Sequence, residues 1–507
     1  MSDPIIGLVF RRKGDEARPA VYADLSTAGL IGPMPDADPV VFPLNTPVKG
    51  YTNDTDFLKA MGSSSSFVVD GMDGINQQLG ELQRSAQVII VRTAPGTNAD
   101  AALANQETIA NIVGSSAAGT GMWAFTFAPE LCQATPRLIG FLGYTGILAS
   151  TVGTMTQTKG GKGYVAGEQY ALTFSGGGTN AVQAVGYAVG QPDGSLGPAV
   201  LTSPGQWYAT APTVTAAAPP AGADVETATY TAAIDALANP ICASAPAVLS
   251  ELLAHAVVES SGVSQAQDEA WRETINSDRL IPVVGGCKVT DAAGNVVTRP
   301  IASRVIGAII RRDHETGAPF HSACNQPIYG IVGPARRIRF ALTYRENEGQ
   351  ALLSANMGIL VPGELGNDFA IASGGFIFLG TDNAGEDELW RFYNQTRGRD
   401  FIHLTLLRMM RYYLGRFNIT YQTLNAIING MKYVLRDLKA DENILGYRVT
   451  FTGTSNSAEE IRKGNITVDF AAEEPAPLRK ITTISRRMRS AVDALVTGLE
   501  AQLNLAT

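Results

Sequence analysis

Pro300-Ile301-Ala302-Ser303-Arg304-Val305-Ile306-Gly307-Ala308-Ile309-Ile310-Arg311-Arg312-Asp313 leads through Thr316-Gly317-Ala318-Pro319-Phe320 to Ser322-Ala323-Cys324-Asn325-Gln326-Pro327-Ile328-Tyr329-Gly330. The segment lies within 237–400, which reads as mixed α/β. His314 and His321 stand seven apart, near Asp313, Glu315 and Cys324. That grouping is open to a metal reading and to a plainer one, a polar loop between strands.

Upstream, residues 20–150 also read as α/β. Pro39-Val40-Val41-Phe42-Pro43 and Val88-Ile89-Ile90-Val91-Arg92 are buried-strand candidates. Asp54 or Thr55 is the candidate cap of a helix through Phe57, Leu58 and Met61, and Ile75, Leu79 and Leu82 recur at helical spacing. Strand–helix–strand alternation argues for an α/β core. Residues 151–236 differ in kind. Charge nearly vanishes, Thr, Ala, Val and Gly dominate, and turn residues separate short alternating runs, as in Gly176-Gly177-Gly178 and Pro204-Gly205-Gln206-Trp207-Tyr208. This predicts a small all-β module inserted in the α/β sequence.

Residues 404–439 read as strongly helical. Leu424, Ile427, Ile428, Met431, Val434, Leu435 and Leu438 form one helix face, with Lys432, Arg436 and Lys439 off it. Strands are expected at 446–451, 465–470 and 479–485, followed by an amphipathic helix with Met488, Val492, Leu495, Leu499 and Leu503. At the other end, Pro4-Ile5-Ile6-Gly7-Leu8-Val9-Phe10 is a short strand-like run. It either docks on its own domain or adds to another chain's sheet edge.

At ~100–200 residues per domain, 507 residues predict several domains. Net charge is −8, without the basic footprint of a nucleic-acid coat. Residues 401–507 hold 14 Lys+Arg against 10 Asp+Glu, net +4, and the remainder 25 against 37, net −12. No run approaches ~18 apolar residues, so no membrane insertion is expected. Met1-Ser2-Asp3-Pro4 shows no Sec signal, so the chain is expected to be made in a cytoplasm and to stay soluble. No phosphate loop, HExxH or GxSxG motif is present. No catalytic, cofactor-binding or metal residue is assigned, and no cofactor is expected. Cys132, Cys242, Cys287 and Cys324 have no CxxC spacing. They are buried thiols or, in an oxidising setting, candidates for disulfides between subunits.

The 300–330 segment resembles the core signature of contractile phage tail sheath proteins: a "P-S-x-x-x-A-G" helix start, a "D-x-x-x-G-x-x-x-S-P-A-N" loop and an "I-x-G" strand. Gly307-Ala308 stands where the family often has Ala-Gly. Asn356-Met357-Gly358-Ile359-Leu360, Trp390-Arg391-Phe392-Tyr393-Asn394-Gln395-Thr396-Arg397, Ile444-Leu445-Gly446-Tyr447-Arg448-Val449 and Pro475-Ala476-Pro477 resemble further family patterns in the same order. About 20–150 and 241–486 are covered, and the insert lies outside.

The resemblance implies a structural subunit, not an enzyme. The fold class expected is α+β, or mixed α/β, in several domains: an N-terminal β-arm (1–19), a sheath α/β domain in two parts (20–150 and 237–400), the inserted all-β surface domain (151–236), a C-terminal α+β domain facing the tube (401–478), and a C-terminal β-arm with terminal helix (479–507). Arms from neighbouring subunits would add to the C-terminal sheet. Ile5, Ile6, Leu8, Val9 and Phe10 belong to one arm, Ile481, Thr483 and Ile484 to the other, and Tyr447, Val449, Phe451, Ile466, Val468 and Phe470 to the acceptor sheet. Lys432, Arg436 and Lys439 would either face an acidic tail tube or form an ordinary solvated helix face. Implied partners are further copies in hexameric rings, the tube protein, and baseplate and neck proteins; the implied place is a virion tail assembled in a bacterial cytoplasm. Two alternatives stand beside this: the sheath of a bacterial contractile injection system, and a cytosolic α/β enzyme with a carbohydrate-binding insert, in which Tyr164, Trp207 and Tyr208 are either stacking residues or, the favoured reading, core aromatics of the small β-module.

Overall fold

A computed structural model describes residues 22–63, 66–222, 224–343 and 346–504. Ile5, Ile6, Leu8, Val9 and Phe10 lie outside the described residues. The chain forms two units, Met1–Pro475 and Ala476–Thr507.

The first unit is organised by a six-stranded sheet. Its strands are β1 (Ala28–Pro33), β2 (Pro47–Tyr51), β3 (Gln87–Thr93) and β4 (Leu138–Gly140), joined after the insertion by two more. The insertion holds β5 (Thr151–Lys159), β6 (Gln169–Ser175), β7 (Val185–Val189), β8 (Val200–Ser203), β9 (Thr213–Ala216) and β10 (Thr229–Asp235). The chain then returns as β11 (His255–Glu259) and β12 (Leu280–Val283), giving the sheet order β12-β11-β4-β1-β3-β2, parallel except at β2. Alternate residues enter two cores. Leu30, Val88 and Ile90 join one cluster; Ile31, Ile89 and Val91 join the other. A parallel sheet covered on both faces requires such near-continuous apolar strands.

Helix α1 (Thr55–Met61) is capped by Asp54, whose side chain accepts from the backbone N–H groups of Asp56 and Phe57. Helix α2 (Phe67–Leu79) covers one sheet face, and α3 (Ala101–Val113), α4 (Ala128–Cys132) and α5 (Pro240–Leu252) contribute to the other. Residues 39–43 form a turn, contrary to expectation, with Val40 85% exposed and only Phe42 buried. Pro39 and Pro43 bracket the run and cannot donate to a ladder, and Phe42 N–H instead closes on Asp38 O at 2.8 Å.

After α6 (Gln265–Glu273) comes α7 (Ala302–Thr316), the helix of the 300–330 segment. It packs on α2. A Cβ at Gly307 would lie 3.0 Å from Ile75 Cα and 2.7 Å from Gln78 Cγ, so a side chain there would force the two helices or the Gln78 side chain to shift. Arg304 reaches across the same crossing to Asp70, with Nη1–Oδ2 at 2.9 Å and Nη2–Oδ1 at 3.1 Å, both side chains buried. No local side chain caps α7. The buried Glu259 carboxylate does so from the end of β11, accepting N–H groups from Gly143, Ile301 and Ala302. Burial pushes this carboxyl's pKa up against those donors.

The insertion is a wholly antiparallel sheet, β5-β10-β9-β6-β7-β8, with its own buried cluster around Tyr164, Tyr170, Phe174, Tyr208 and Tyr230. Trp207 instead joins the α/β cluster of Ile241 and Leu249 and fixes the insertion to the body. All three aromatic candidates for carbohydrate stacking, Tyr164, Trp207 and Tyr208, are therefore core residues.

The unit continues through short strands β13 (Cys287–Thr290), β14 (Val296–Arg299), β15 (Gln326–Pro327), β16 (Gly333–Pro334), β17 (Ile359–Pro362) and β18 (Phe376–Leu379), with α8 (Glu348–Ser354) among them. Then α9 (Tyr393–Met410) and α10 (Tyr421–Ala440) lead to β19 (Gly446–Thr450), α11 (Ala458–Arg462) and β20 (Asp469–Glu473). The expected helical stretch 404–439 is thus two helices parted by residues 411–420. In the second unit, residues 477–488 carry no helix or strand and α12 (Arg489–Asn504) follows.

Candidate assembly surfaces

Helix α9 joins the α/β body to the C-terminal elements. Its first turns are locked by side chains. Tyr393 Oη accepts from Ala323 N–H at 2.7 Å, and Asn394 Nδ2 donates to Phe320 O at 2.8 Å. Arg397 meets Asp313 of α7, and Arg279 meets Asp400, both partly or wholly out of water. His255 Nε2 lies 3.0 Å from Thr396 Oγ1. The later turns, Leu404 and Leu406, belong to the cluster of Met431, Val434, Leu435 and Leu438 on α10. Asp313, His314 and Glu315 therefore sit on a helix, and Asp313 is committed to Arg397. No group of three or more metal-ligating side chains occurs among the described residues. The 390–397 pattern is legible in the sequence, but the side-chain partners of Tyr393, Asn394, Gln395, Thr396 and Arg397 in the body and C-terminal elements are 70 to 141 residues away and leave no local signal.

Beyond α9, β19 and β20 form a two-stranded antiparallel sheet, with Tyr447 opposite Ala472 and Val449 opposite Phe470. Both outer edges lack a neighbouring strand among the described residues. An isolated ribbon of two strands is marginal in water. This one is fastened to α9. Arg399 donates to Glu474 Oε1 and Oε2 at 2.8 and 2.9 Å and to Ala472 O at 2.6 Å, and Gln395 Nε2 donates to Glu474 O at 2.9 Å. Of the expected acceptor residues, Tyr447, Val449 and Phe470 lie on the strands. Phe451 follows β19, and Ile466 and Val468 precede β20. The strand starts late because the Asn456 side chain takes both backbone groups of Thr467, at 2.7 and 2.9 Å, in place of a ladder.

Residues 479–485, expected as a strand, have no strand, and Ile481 and Ile484 are 74% and 75% exposed. A strand needs a partner, and none is supplied within this chain's described residues. Lys432, Arg436 and Lys439 are exposed on α10, on one flank of its buried stripe; Arg436 also lies beside Asp437 and over the Tyr433 ring. No disulfide joins the four cysteines to one another. Cys132, Cys242 and Cys287 are buried inside the chain, where burial pushes the Cys242 and Cys287 thiols up to about 12. Bridging those three to a neighbour would require opening the core, which leaves Cys324, half-buried, as the accessible one. No described helix is long and apolar enough to cross a membrane.

The fold built on this plan is similar to that of solved contractile sheath proteins. The anti-feeding prophage helical sheath in its contracted state superposes with a TM-score of 0.54 at 10% identity, covering 96% of this chain and 100% of that one. In sequence, the chain is 23% identical over 217 residues to a Pseudomonas aeruginosa (strain UCBPP-PA14) protein named as a prophage major tail sheath protein, a match spanning 43% of this chain and 53% of the relative. It is 21% identical over 235 residues to the tail sheath protein of Escherichia phage P2, spanning 46% and 56%. The matches thus span about half the length of these curated relatives. No family model matches. The curated relatives are named tail sheath proteins and the fold is similar to that of a contracted sheath, the same family that the residue pattern resembles.

Proposed function

We propose that the chain is a structural, non-enzymatic sheath subunit that polymerises as stacked rings around a tail tube and contracts to drive the tube through a host envelope. The observation that carries this is the C-terminal sheet: two strands whose outer edges lack a neighbour among the described residues, in a chain that also has a strand-like segment, 479–486, paired with no strand among those residues. Strand addition from neighbours satisfies both, with residues 5–10 as the second donor, because backbone ladders give affinity while tolerating rotation between subunits. Such contacts are heterologous and propagate into a tube.

Contraction in this reading is a rigid-body rearrangement of subunits. The fixing of α9 into the α/β body by Tyr393, Asn394 and Arg397 supports it, since body and C-terminal elements would move together. Lys432, Arg436 and Lys439 contact an acidic tube; baseplate and neck proteins close the ends; assembly takes place in the bacterial cytoplasm. A sheath of a bacterial injection system uses the same chemistry.

Negative-stain electron microscopy of the chain expressed alone, then with the tube protein encoded nearby, tests the reading. Hollow tubes or stacked rings are expected, and deletion of residues 1–12 should abolish them. Monomers persisting with the tube protein present would overturn it.

A further inference from the structure

We propose that α12 of one subunit docks through its apolar stripe on the α9–α10 corner of a second copy of this chain. This rests on the arm exchange proposed above and names a contact that the exchange would deliver. Met488, Val492, Leu495, Val496, Leu499 and Leu503 recur at helical spacing, and each is between 47% and 70% exposed. A lone 16-residue helix is marginal in water, so this stripe needs a cover.

The corner offers one. Leu407, Leu414, Phe417 and Tyr421 are exposed where α9 turns into α10, with Leu414 at 78% and Tyr421 at 81%. The rings of Tyr412, Tyr413 and Phe417 lie within 5.7 Å of one another and form a firm apolar floor. Several large exposed apolar side chains gathered around one helix corner are the kind of surface that marks an interaction site.

Charge and reach select the occupant. Asp493 and Glu500 stand seven residues apart, two turns along one flank of the stripe, and the corner carries the exposed Arg411 and Arg416. Asp493 lies 4.0 Å from Arg489 of its own helix, an exposed pair that leaves Glu500 for the corner. Only Arg487 and Met488 separate the arm segment ending at Arg486 from α12. An arm laid on a neighbour's β19–β20 sheet therefore delivers α12 to that neighbour's C-terminal elements. Sixteen helical residues span roughly 24 Å, and α10, which packs against β19, spans roughly 30 Å from sheet to corner.

The test mixes two full-length variants in a Cys324→Ser background, one carrying Leu414→Cys and the other Leu495→Cys, under mild oxidation, with microscopy of the same samples. A cross-linked dimer only in the mixture supports the docking. A dimer in the Leu495→Cys sample alone shows helix self-pairing and overturns it, as does the absence of any cross-link. Tubes without the cross-link leave the arm exchange standing, so the two readings fail separately. Leu495→Glu with Leu499→Glu changes only exposed positions. It should raise the concentration needed for assembly at least tenfold, and an unchanged value would also overturn the docking.

Discussion

Arg397 of α9 and Asp313 of α7 form a buried pair, with Nη1 3.1 Å from Oδ1 and Nη2 on Oδ2, joining helices whose residues are 84 apart in sequence. Removing one partner of such a pair strands the other charge out of water. Arg397→Met should cost about 3–5 kcal/mol, read as a lower denaturant midpoint. Arg397→Met with Asp313→Leu should recover most of that loss, because no charge is then left unpaired.

A second prediction concerns the α2–α7 crossing. Gly307→Ala places a Cβ 3.0 Å from Ile75 Cα, a backbone atom that cannot rotate away. A cost of about 1–3 kcal/mol is expected by chemical denaturation, although alanine is the better helix former. A stabilised variant would show that the helices can separate at this point.

What the sequence yields divides by the range of the forces involved. Asp54 capping α1, the 88–92 strand and the α10 stripe all follow from residues a turn or a strand apart. Proline at 39 and 43, weighed against the apolar run between them, would have predicted the turn. Nothing local marks Arg397–Asp313, Glu259 as the cap of α7, or Trp207 leaving its own module for the α/β core, since each depends on which segments meet in space. Residues 479–486 have strand character, but a strand exists only with its partner, and the described chain does not provide one.

A pH dependence follows from His255. It is buried against Thr396, with Nδ1 3.9 Å from Asp400 Oδ2. Burial, then the charges of Arg279 and Arg397, push its pKa well below 6.5. The folded state thus holds the neutral imidazole while the unfolded chain takes up a proton near 6.5. This stability is fully present above about pH 6.5 and is lost as pH falls below it, by at most about 1.4 kcal/mol per pH unit. Burial also lowers the pKa values of His321 and His403, so they act in the same direction. Denaturation at pH 7 and pH 5.5 should show a shallower decline for His255→Asn than for the parent chain.

The exposed cations of α10 separate binding from folding. Lys432, Arg436 and Lys439 are exposed beside the buried stripe of Met431, Val434, Leu435 and Leu438. Reversing all three to Glu should leave unfolding nearly unchanged, because surface charges away from buried features contribute little. Met431→Glu would instead put a charge in the cluster and destabilise the fold. If the helix faces an acidic tube, the triple variant should still join its own arms but fail to co-assemble on the tube. The parent's tube binding should weaken as salt rises, since exposed charges are screened over about 8 Å at physiological ionic strength. Tube binding that survives both the reversal and high salt would place the contact on another surface.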